Sequence, residues 1–279
     1  MPAQKPRSFV PADELLEMIL PVAEEAGIES IRLTGGEPTL YPELEKLIGL
    51  LRNAGIAEVQ LTTNGFSLAR QAGVLTEAGL TSINISLDGA DRESFRRMTR
   101  RDQFDTVVEG IKAAASRIPA KLNATIVAGK NTDQVVPLFY LARSLGTPLR
   151  YLELMAMGPM QHQAQSLVFT EKEILSAIAS EVRFSPVPRL PSATARYWKT
   201  EDGFQFGIIA NESAPFCSDC DRLRMDSEGK IYGCLSDEAG VQVKGATRSE
   251  LRLALAEALS RKQNVRFKGS ARTMLEVGG

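Results

Sequence analysis

No cysteine occurs before residue 217, and the chain has three in all: Cys217, Cys220 and Cys234. An odd count confined to one short stretch argues against a disulfide framework. The one histidine, His162, lies far upstream of them, so structural zinc, which takes four protein ligands, would have to find its fourth elsewhere. No apolar run approaches the roughly eighteen residues of a membrane span, and the opening Met1-Pro2-Ala3-Gln4-Lys5-Pro6-Arg7-Ser8 has no signal-peptide core. The net charge of -1 speaks against nucleic acid as a partner, while local Arg clusters could still grip a phosphate. No Gly-x-Gly-x-x-Gly or Walker loop follows any predicted strand, which removes the commonest nucleotide-binding forms of a doubly wound sheet. Internal repeats beyond a helix and strand unit, and low-complexity segments, are also missing. These absences point to a cytoplasmic, reducing setting with no membrane partner, one that suits thiolate ligands.

What is present is ordinary in bulk. Apolar residues make up 43% and charged residues 24% of 279, enough for one large domain or one domain with an appended module. The cysteines are spaced two residues and then thirteen apart. Segments 221–225 and 231–234 read as two strands joined by a turn at Ser227-Glu228-Gly229, a hairpin that folds Cys234 back beside Cys220 so that three thiolates converge on one point. Three readings fit: a 4Fe-4S cluster whose fourth iron stays open to a small molecule, a zinc site completed by an Asp or a partner, or buried thiols.

The first half alternates helix and strand. Apolar spacing predicts helices over 11–26 (with Pro21 bending it), 44–51, 68–78, 104–115 and 133–145. Strands are predicted over 30–34, 59–62, 82–86, 121–127 and 149–155. Five strands at repeats of roughly 25 to 40 residues imply a parallel sheet with right-handed crossovers. Polar groups gather where these strands end, at Thr34-Gly35-Gly36-Glu37, Thr62-Thr63-Asn64-Gly65, Ser86-Leu87-Asp88 and Glu153-Leu154-Met155. In a barrel such ends form the rim that carries the active site, so a partial TIM-type barrel is expected over 1–156. The alternation stops there. A loop over 157–165, a helix opened by the Thr170-x-x-Glu173 capping box and running to about 182, a proline-rich linker over 186–191, the cysteine hairpin and a helix over 249–260 make up a C-terminal module, 157–279.

Arg32-Leu33-Thr34-Gly35-Gly36-Glu37-Pro38, Leu61-Thr62-Thr63-Asn64-Gly65, Asn84-Ile85-Ser86-Leu87-Asp88, the cysteine segment with Arg222-Leu223-Arg224, and the terminal Gly278-Gly279 together resemble the GTP 3',8-cyclase family. These are radical S-adenosylmethionine enzymes that begin molybdenum cofactor biosynthesis. The resemblance covers essentially the whole chain. It implies an α/β fold, an incomplete radical SAM barrel with a C-terminal iron-sulfur module, in which S-adenosylmethionine is cleaved to a radical that removes the ribose 3' hydrogen of GTP, after which the sugar carbon attacks C8 of guanine. It assigns S-adenosylmethionine to Gly36, Ser86 and Met155. GTP falls to Arg32, Thr62, Lys121, Arg222, Leu223 and Arg224, with Arg150 a further phosphate candidate, and a 4Fe-4S cluster to Cys217, Cys220 and Cys234. The implied partners are GTP, an electron donor of flavodoxin or ferredoxin type and a downstream cyclic pyranopterin monophosphate synthase, with room for a homodimer. The terminal glycines are expected to reach the active site.

One departure matters. The family holds its radical-generating 4Fe-4S cluster on a Cys-x-x-x-Cys-x-x-Cys loop after the first strand, often followed by Met-Pro, and this chain begins Met1-Pro2. The expectation is that the first strand and those cysteines are missing, that strand 30–34 carries an open edge, and that the chain as written generates no radical. A degenerate paralogue that binds nucleotide and a metal without catalysis, or another radical enzyme with an auxiliary cluster, are the competing readings.

Overall fold

The computed structural model describes residues 9–273. Helix α1 (Ala12–Ala26) runs through Pro21 and stops at Gly27, whose left-handed φ of 62° lets the next amides turn back onto the Ala23 and Glu24 carbonyls. Strand β1 (Ser30–Leu33), α2 (Leu44–Asn53), β2 (Glu58–Thr63), α3 (Leu68–Glu77) and β3 (Ser82–Ser86) follow. After them come α4 (Arg92–Thr99), α5 (Phe104–Ala115), β4 (Ala120–Ile126), α6 (Val135–Ser144) and β5 (Leu149–Glu153). These five strands are parallel and adjacent in chain order, the incomplete α/β barrel expected. Helix α4 has no counterpart in the sequence reading. Only Ser94 and Phe95 of it are buried, so it lacks an apolar stripe, and an Asp91/Ser94 capping box starts it instead.

The sheet does not end at β5. Past the short α7 (Ala164–Leu167) and α8 (Glu171–Ala179) come β6 (Phe184–Val187), β7 (Arg196–Thr200) and β8 (Gln205–Ile209). Strand β8 pairs parallel with β5, and β7 and β6 extend it antiparallel, giving the order β1-β2-β3-β4-β5-β8-β7-β6. The expected linker over 186–191 therefore begins inside a strand. Pro186 is accommodated because β6 is an edge, where a missing N–H breaks no ladder. Trp198 stacks on Phe206 at 5.8 Å and Phe184 meets the same ring edge-on at 5.2 Å, which pins this hairpin to the core.

At the other edge β1 pairs only with β2 among the described residues. A second, smaller sheet consists of β9 (Arg224–Met225), β10 (Lys230–Tyr232) and β11 (Val241–Gln242). The predicted two-stranded hairpin is thus three-stranded, with shorter arms than 221–225 and 231–234. Helix α9 (Arg248–Ser260) begins one residue earlier than read, because Thr247 and Glu250 form a capping box. Val22 of α1 joins Ile231, Val243, Leu251, Ala254, Leu255 and Ala258 in a small core, and Glu25 of α1 accepts from Arg248 and Arg252. The cysteine module is seated on the first helix of the barrel.

Candidate functional site

Strand register decides which residues share the inner face. Arg32 pairs with Gln60, Thr62 with Asn84, Asn84 with Lys121, Ser86 with Asn123, and Asn123 with Arg150. Because side chains alternate along each strand, these residues form one polar band across the sheet. The alternate positions, Val59, Leu61, Ile83, Ile85, Leu122, Ala124 and Tyr151, are almost wholly buried against the helices. Closed barrels fill their interior with branched apolar side chains; here the interior is polar, and Arg150 is only 7% exposed within it. Its Nε donates to Asn123 Oδ1 at 2.9 Å and its Nη2 to Asn84 Oδ1 at 2.6 Å. Asn84 also donates weakly to Thr62 at 3.4 Å.

The band is electrostatically overloaded. Burial lowers the Arg150 pKa, and Tyr197 beside it works the other way. Tyr197 can lie there because its partner is Gly207, where a Cβ would come within 2.9 Å of the tyrosine ring. Arg32 keeps much of its surface in water at the sheet edge, yet its guanidinium points over the band. Loss of water, then the charges of Arg150 and Arg222, depress its pKa, while Gln60 accepts its hydrogen bonds. Lys121 is lowered in the same way, by desolvation and then by Arg150 and Arg32. Arg224 is pushed down to about 10 by burial and by Arg222, with Cys220 and Cys234 opposing. Cations from β1, β4, β5 and the cysteine module therefore feel one another, an arrangement that favours a polyanion.

Gly36, Ser86 and Met155 lie at the same rim, after β1, at the end of β3 and just past β5. Gly35 holds a φ of 127°, which L residues rarely adopt, and a Cβ built on Gly36 would meet no atom of the chain within 4 Å, leaving the backbone open to a ligand. Glu37 ties two rim loops together: it accepts from Thr63 Oγ1 at 2.5 Å and from the Asn64 amide at 2.8 Å. Glu153, 1% exposed at the end of β5, takes the amides of Glu171, Glu212 and Ser213 at 2.8, 2.8 and 2.9 Å. Asp88 accepts the Thr125 amide at 2.8 Å, and burial pushes its carboxyl up to about 6.

Cys217, Cys220 and Cys234 are free thiols, each half-buried. They are near enough for Cys217 to be pushed up, first by burial and then by Cys234 and Cys220. Burial acts against the Cys220 thiolate, but hydrogen bonds from the Arg222 guanidinium and amide, with Lys262 nearby, bring its pKa below the ordinary value. Arg222 Nη2 is 3.2 Å from that sulfur, and its guanidinium stands 5.0 Å over the Phe216 ring. Convergence on a single point, expected from the spacing, is not found: among the described residues no group of three or more His, Cys, Asp or Glu side chains is placed to hold one metal ion. The Asp in the loop, Asp219, has both oxygens engaged by Arg189 at 2.8 Å, so it is not poised to complete a zinc site.

One expectation about the arginines changes. Arg222 precedes β9, so Arg222 and Arg224 are not two positions on one strand. Leu223 packs its side chain against the module's small core, which leaves its backbone for any ligand. Gln60, Asn123 and Tyr197 have no place in the sequence reading, and Asn84 stands there only within a quoted motif, without a role. For Gln60, Asn84 and Asn123 the signal is a polar residue at every second strand position, in Glu58-Val59-Gln60-Leu61-Thr62, Ser82-Ile83-Asn84-Ile85-Ser86 and Lys121-Leu122-Asn123. Gly278 and Gly279 fall outside the described residues.

Known proteins share this architecture. The Radical SAM superfamily matches residues 2–141, and Molybdenum Cofactor Synthesis C matches 147–268. Streptococcus suis SuiB bound to S-adenosylmethionine superposes with a TM-score of 0.62 at 15% identity, covering 91% of this chain and 60% of that one. TYW1 with a lysine-pyruvate adduct bound gives 0.51 at 17% identity, covering 76% and 72%. Both likenesses concern the fold. In sequence, the GTP 3',8-cyclase of Aquifex aeolicus (strain VF5) is 34% identical over 90% of this chain and 81% of its own length. That of Synechococcus sp. (strain CC9902) is 36% identical over 94% and 83%, and that of Staphylococcus carnosus (strain TM300) 38% over 86% and 74%. With a radical SAM barrel, a Molybdenum Cofactor Synthesis C region and relatives matched over most of their length, the chain belongs to the GTP 3',8-cyclase family.

Proposed function

We propose that this chain carries out the first step of molybdenum cofactor biosynthesis, the S-adenosylmethionine-dependent cyclisation of GTP to (8S)-3',8-cyclo-7,8-dihydroguanosine 5'-triphosphate. The observation that supports it most is the group of five cations, Arg32, Lys121, Arg150, Arg222 and Arg224: burial and neighbouring cations depress the pKa of Arg32, Lys121 and Arg224, and burial depresses that of Arg150. A triphosphate relieves that strain. Thr62, beside Arg150's partner Asn84, offers a hydroxyl to the same ligand. At the rim, Gly36 admits S-adenosylmethionine close to backbone, Ser86 supplies a hydroxyl and Met155 a soft apolar surface.

Cys217, Cys220 and Cys234 would hold a 4Fe-4S cluster. Donors already aim at Cys220 and Cys234 sulfurs, as thiolate ligands require, and cysteines that bind different irons need not meet at one point. When bound, reduced iron-sulfur clusters with S-adenosylmethionine supply hydrogen-atom abstraction and an open iron for substrate. A radical-generating cluster needs further thiolates, and residues 1–216 contain none. A second reading is a nucleotide- and metal-binding protein without turnover. An electron donor of flavodoxin or ferredoxin type, a downstream cyclic pyranopterin monophosphate synthase and a homodimer belong to the leading proposal.

The test has two arms. Calorimetry on the anaerobically reconstituted chain should show GTP binding that Arg150→Met and Arg222→Ala each weaken by about tenfold or more, as loss of a charge-assisted contact demands, and that added salt weakens further. Unchanged affinity in both variants would move the phosphates elsewhere. Incubation with dithionite, S-adenosylmethionine and GTP should give no 5'-deoxyadenosine from these residues alone, and turnover once a segment bearing the three cysteines is joined to them. Binding without turnover in the joined form supports the second reading.

A further inference from the structure

The Cys217 to Cys220 loop is held from outside its own segment by two unrelated anchors. Lys262, just past α9, donates to the carbonyl oxygen of Cys220 at 2.9 Å and to that of Arg222 at 2.7 Å, with its Nζ 3.8 Å from Cys220 Sγ. A lysine ammonium has three protons, and here all three face this loop. An ordinary solvated lysine would extend into water instead. The second anchor reaches from 189–192. Arg189 forks onto both oxygens of Asp219 at 2.8 Å, the Ser192 amide donates to Asp219 Oδ2 at 3.0 Å, and Ser192 Oγ donates to the Asp219 carbonyl at 2.8 Å. Ser192 has a φ of 58°, one of two non-glycine residues with positive φ among those described. Such a backbone persists only where its surroundings over-determine it, and both polar groups of this serine are committed to Asp219.

We propose that Lys262 and Asp219 are positioning residues for the cysteine site: Lys262 fixes the Cys220 sulfur and the Arg222 backbone in one frame, and Asp219 moors the intervening turn to 189–192. The metal ligand and the phosphate-binding arginine then move as a unit, so a change at one is felt at the other. The functional meaning rests on the cluster and GTP reading above; the clamp itself does not.

Hydrogen exchange of the full chain, metal-free, reads the clamp directly. In Lys262→Met, amides over 217–222 should exchange about tenfold faster, the size expected for losing charge-assisted contacts. Helix α9 and strands β3 and β4 should keep their rates, and Lys262→Arg should return the loop to within about threefold of the parent. After reconstitution, release of iron to a chelator should also quicken by about tenfold in Lys262→Met. Equal acceleration throughout the module, or none at 217–222, would overturn the proposal by making the lysine a general packing residue. Should Lys262→Met fail to fold, Asp219→Asn carries the same measurement with the same two outcomes. If the parent takes up no iron, the cluster reading falls while the exchange result still decides this one.

Discussion

On the helix-facing side of the large sheet, Leu61, Ile85, Leu122 and Tyr151 lose all contact with water, and the helices seal them from outside. The cysteine module hides seven side chains, two of them alanines and one borrowed from α1. The first region has enough buried apolar surface to hold itself together. The second is too small to do so, and it relies on capping boxes, the Lys262 and Arg189 clamps, its seat on α1 and the metal proposed for its thiols. Rigidity in the barrel comes from packing, whereas in the module it comes from polar contacts and ligation. The functional arginines bridge the two, with Arg32 and Arg150 on the packed region and Arg222 and Arg224 on the clamped one.

That difference can be broken from either side. The largest effect should come from Cys234→Ser in the reconstituted chain. Iron at the module should be lost and amide exchange over 216–243 should rise by about a hundredfold, because ligation energy is folding energy in a small metal-dependent unit. Strands β3 and β4 should be unaffected, and equal protection in parent and variant would show that the module stands without metal. Next is Leu122→Ala, in a fully buried position. It should cost roughly 2 to 5 kcal/mol of global stability in urea titration and leave iron content unchanged; a loss under about 1 kcal/mol would mean that the sheet core is loosely packed.

The smallest effect concerns Asp88, where the polar rim meets the core. Burial raises its carboxyl from 3.8 to about 6, so the fold favours the neutral acid. Its contribution is fully present below the unfolded value and is lost as pH rises through the folded one. Asp88→Asn imitates the neutral form and can still accept from the Thr125 amide. Thermal melts should match the parent near pH 3.5 and exceed it at about pH 7.5 by on the order of 2 to 3 kcal/mol. A less stable variant at the higher pH would assign Asp88 a charged role.

The parallel half of the sheet was legible because its strands and helices carry clean periods, and the rim could be read from Gly, Asn and Ser at strand ends. The antiparallel extension was not, since Pro186 and Pro188 resemble a linker until β6 is known to be an edge. Arg222 and Arg224 were found as a motif, but their separation by the start of β9 depends on where the Asp226 turn closes, through amide hydrogen bonds to its side chain at 3.0 Å. The roles of Asn84 and Asn123 lie in an alternation that runs along the strands rather than at their ends, and strand register is needed to show that both side chains meet Arg150. Lys262 had no local signal at all, because its partners lie 40 and 42 positions earlier.

The last described stretch of chain bears on the order of assembly. The Ser270 amide donates to the Ala156 carbonyl at 3.0 Å and its carbonyl accepts from the Gly158 amide at 2.9 Å, while the Ala271 amide reaches Glu238 at 2.8 Å. These contacts join the segment after β5 to the segment after Cys234, and those of Ser270 span more sequence than any neighbouring pair of parallel strands. Closing so long a loop is slow and gains nothing until both surfaces exist. The successive strand and helix units therefore form first, and both the strap over 268–273 and the seating of the module on α1, whose ion pairs join Glu14 and Glu25 to Lys244 and Arg248, come after them. The strap is held by a few polar contacts rather than by packing, so limited proteolysis over 268–273 should release it while the parallel sheet remains folded.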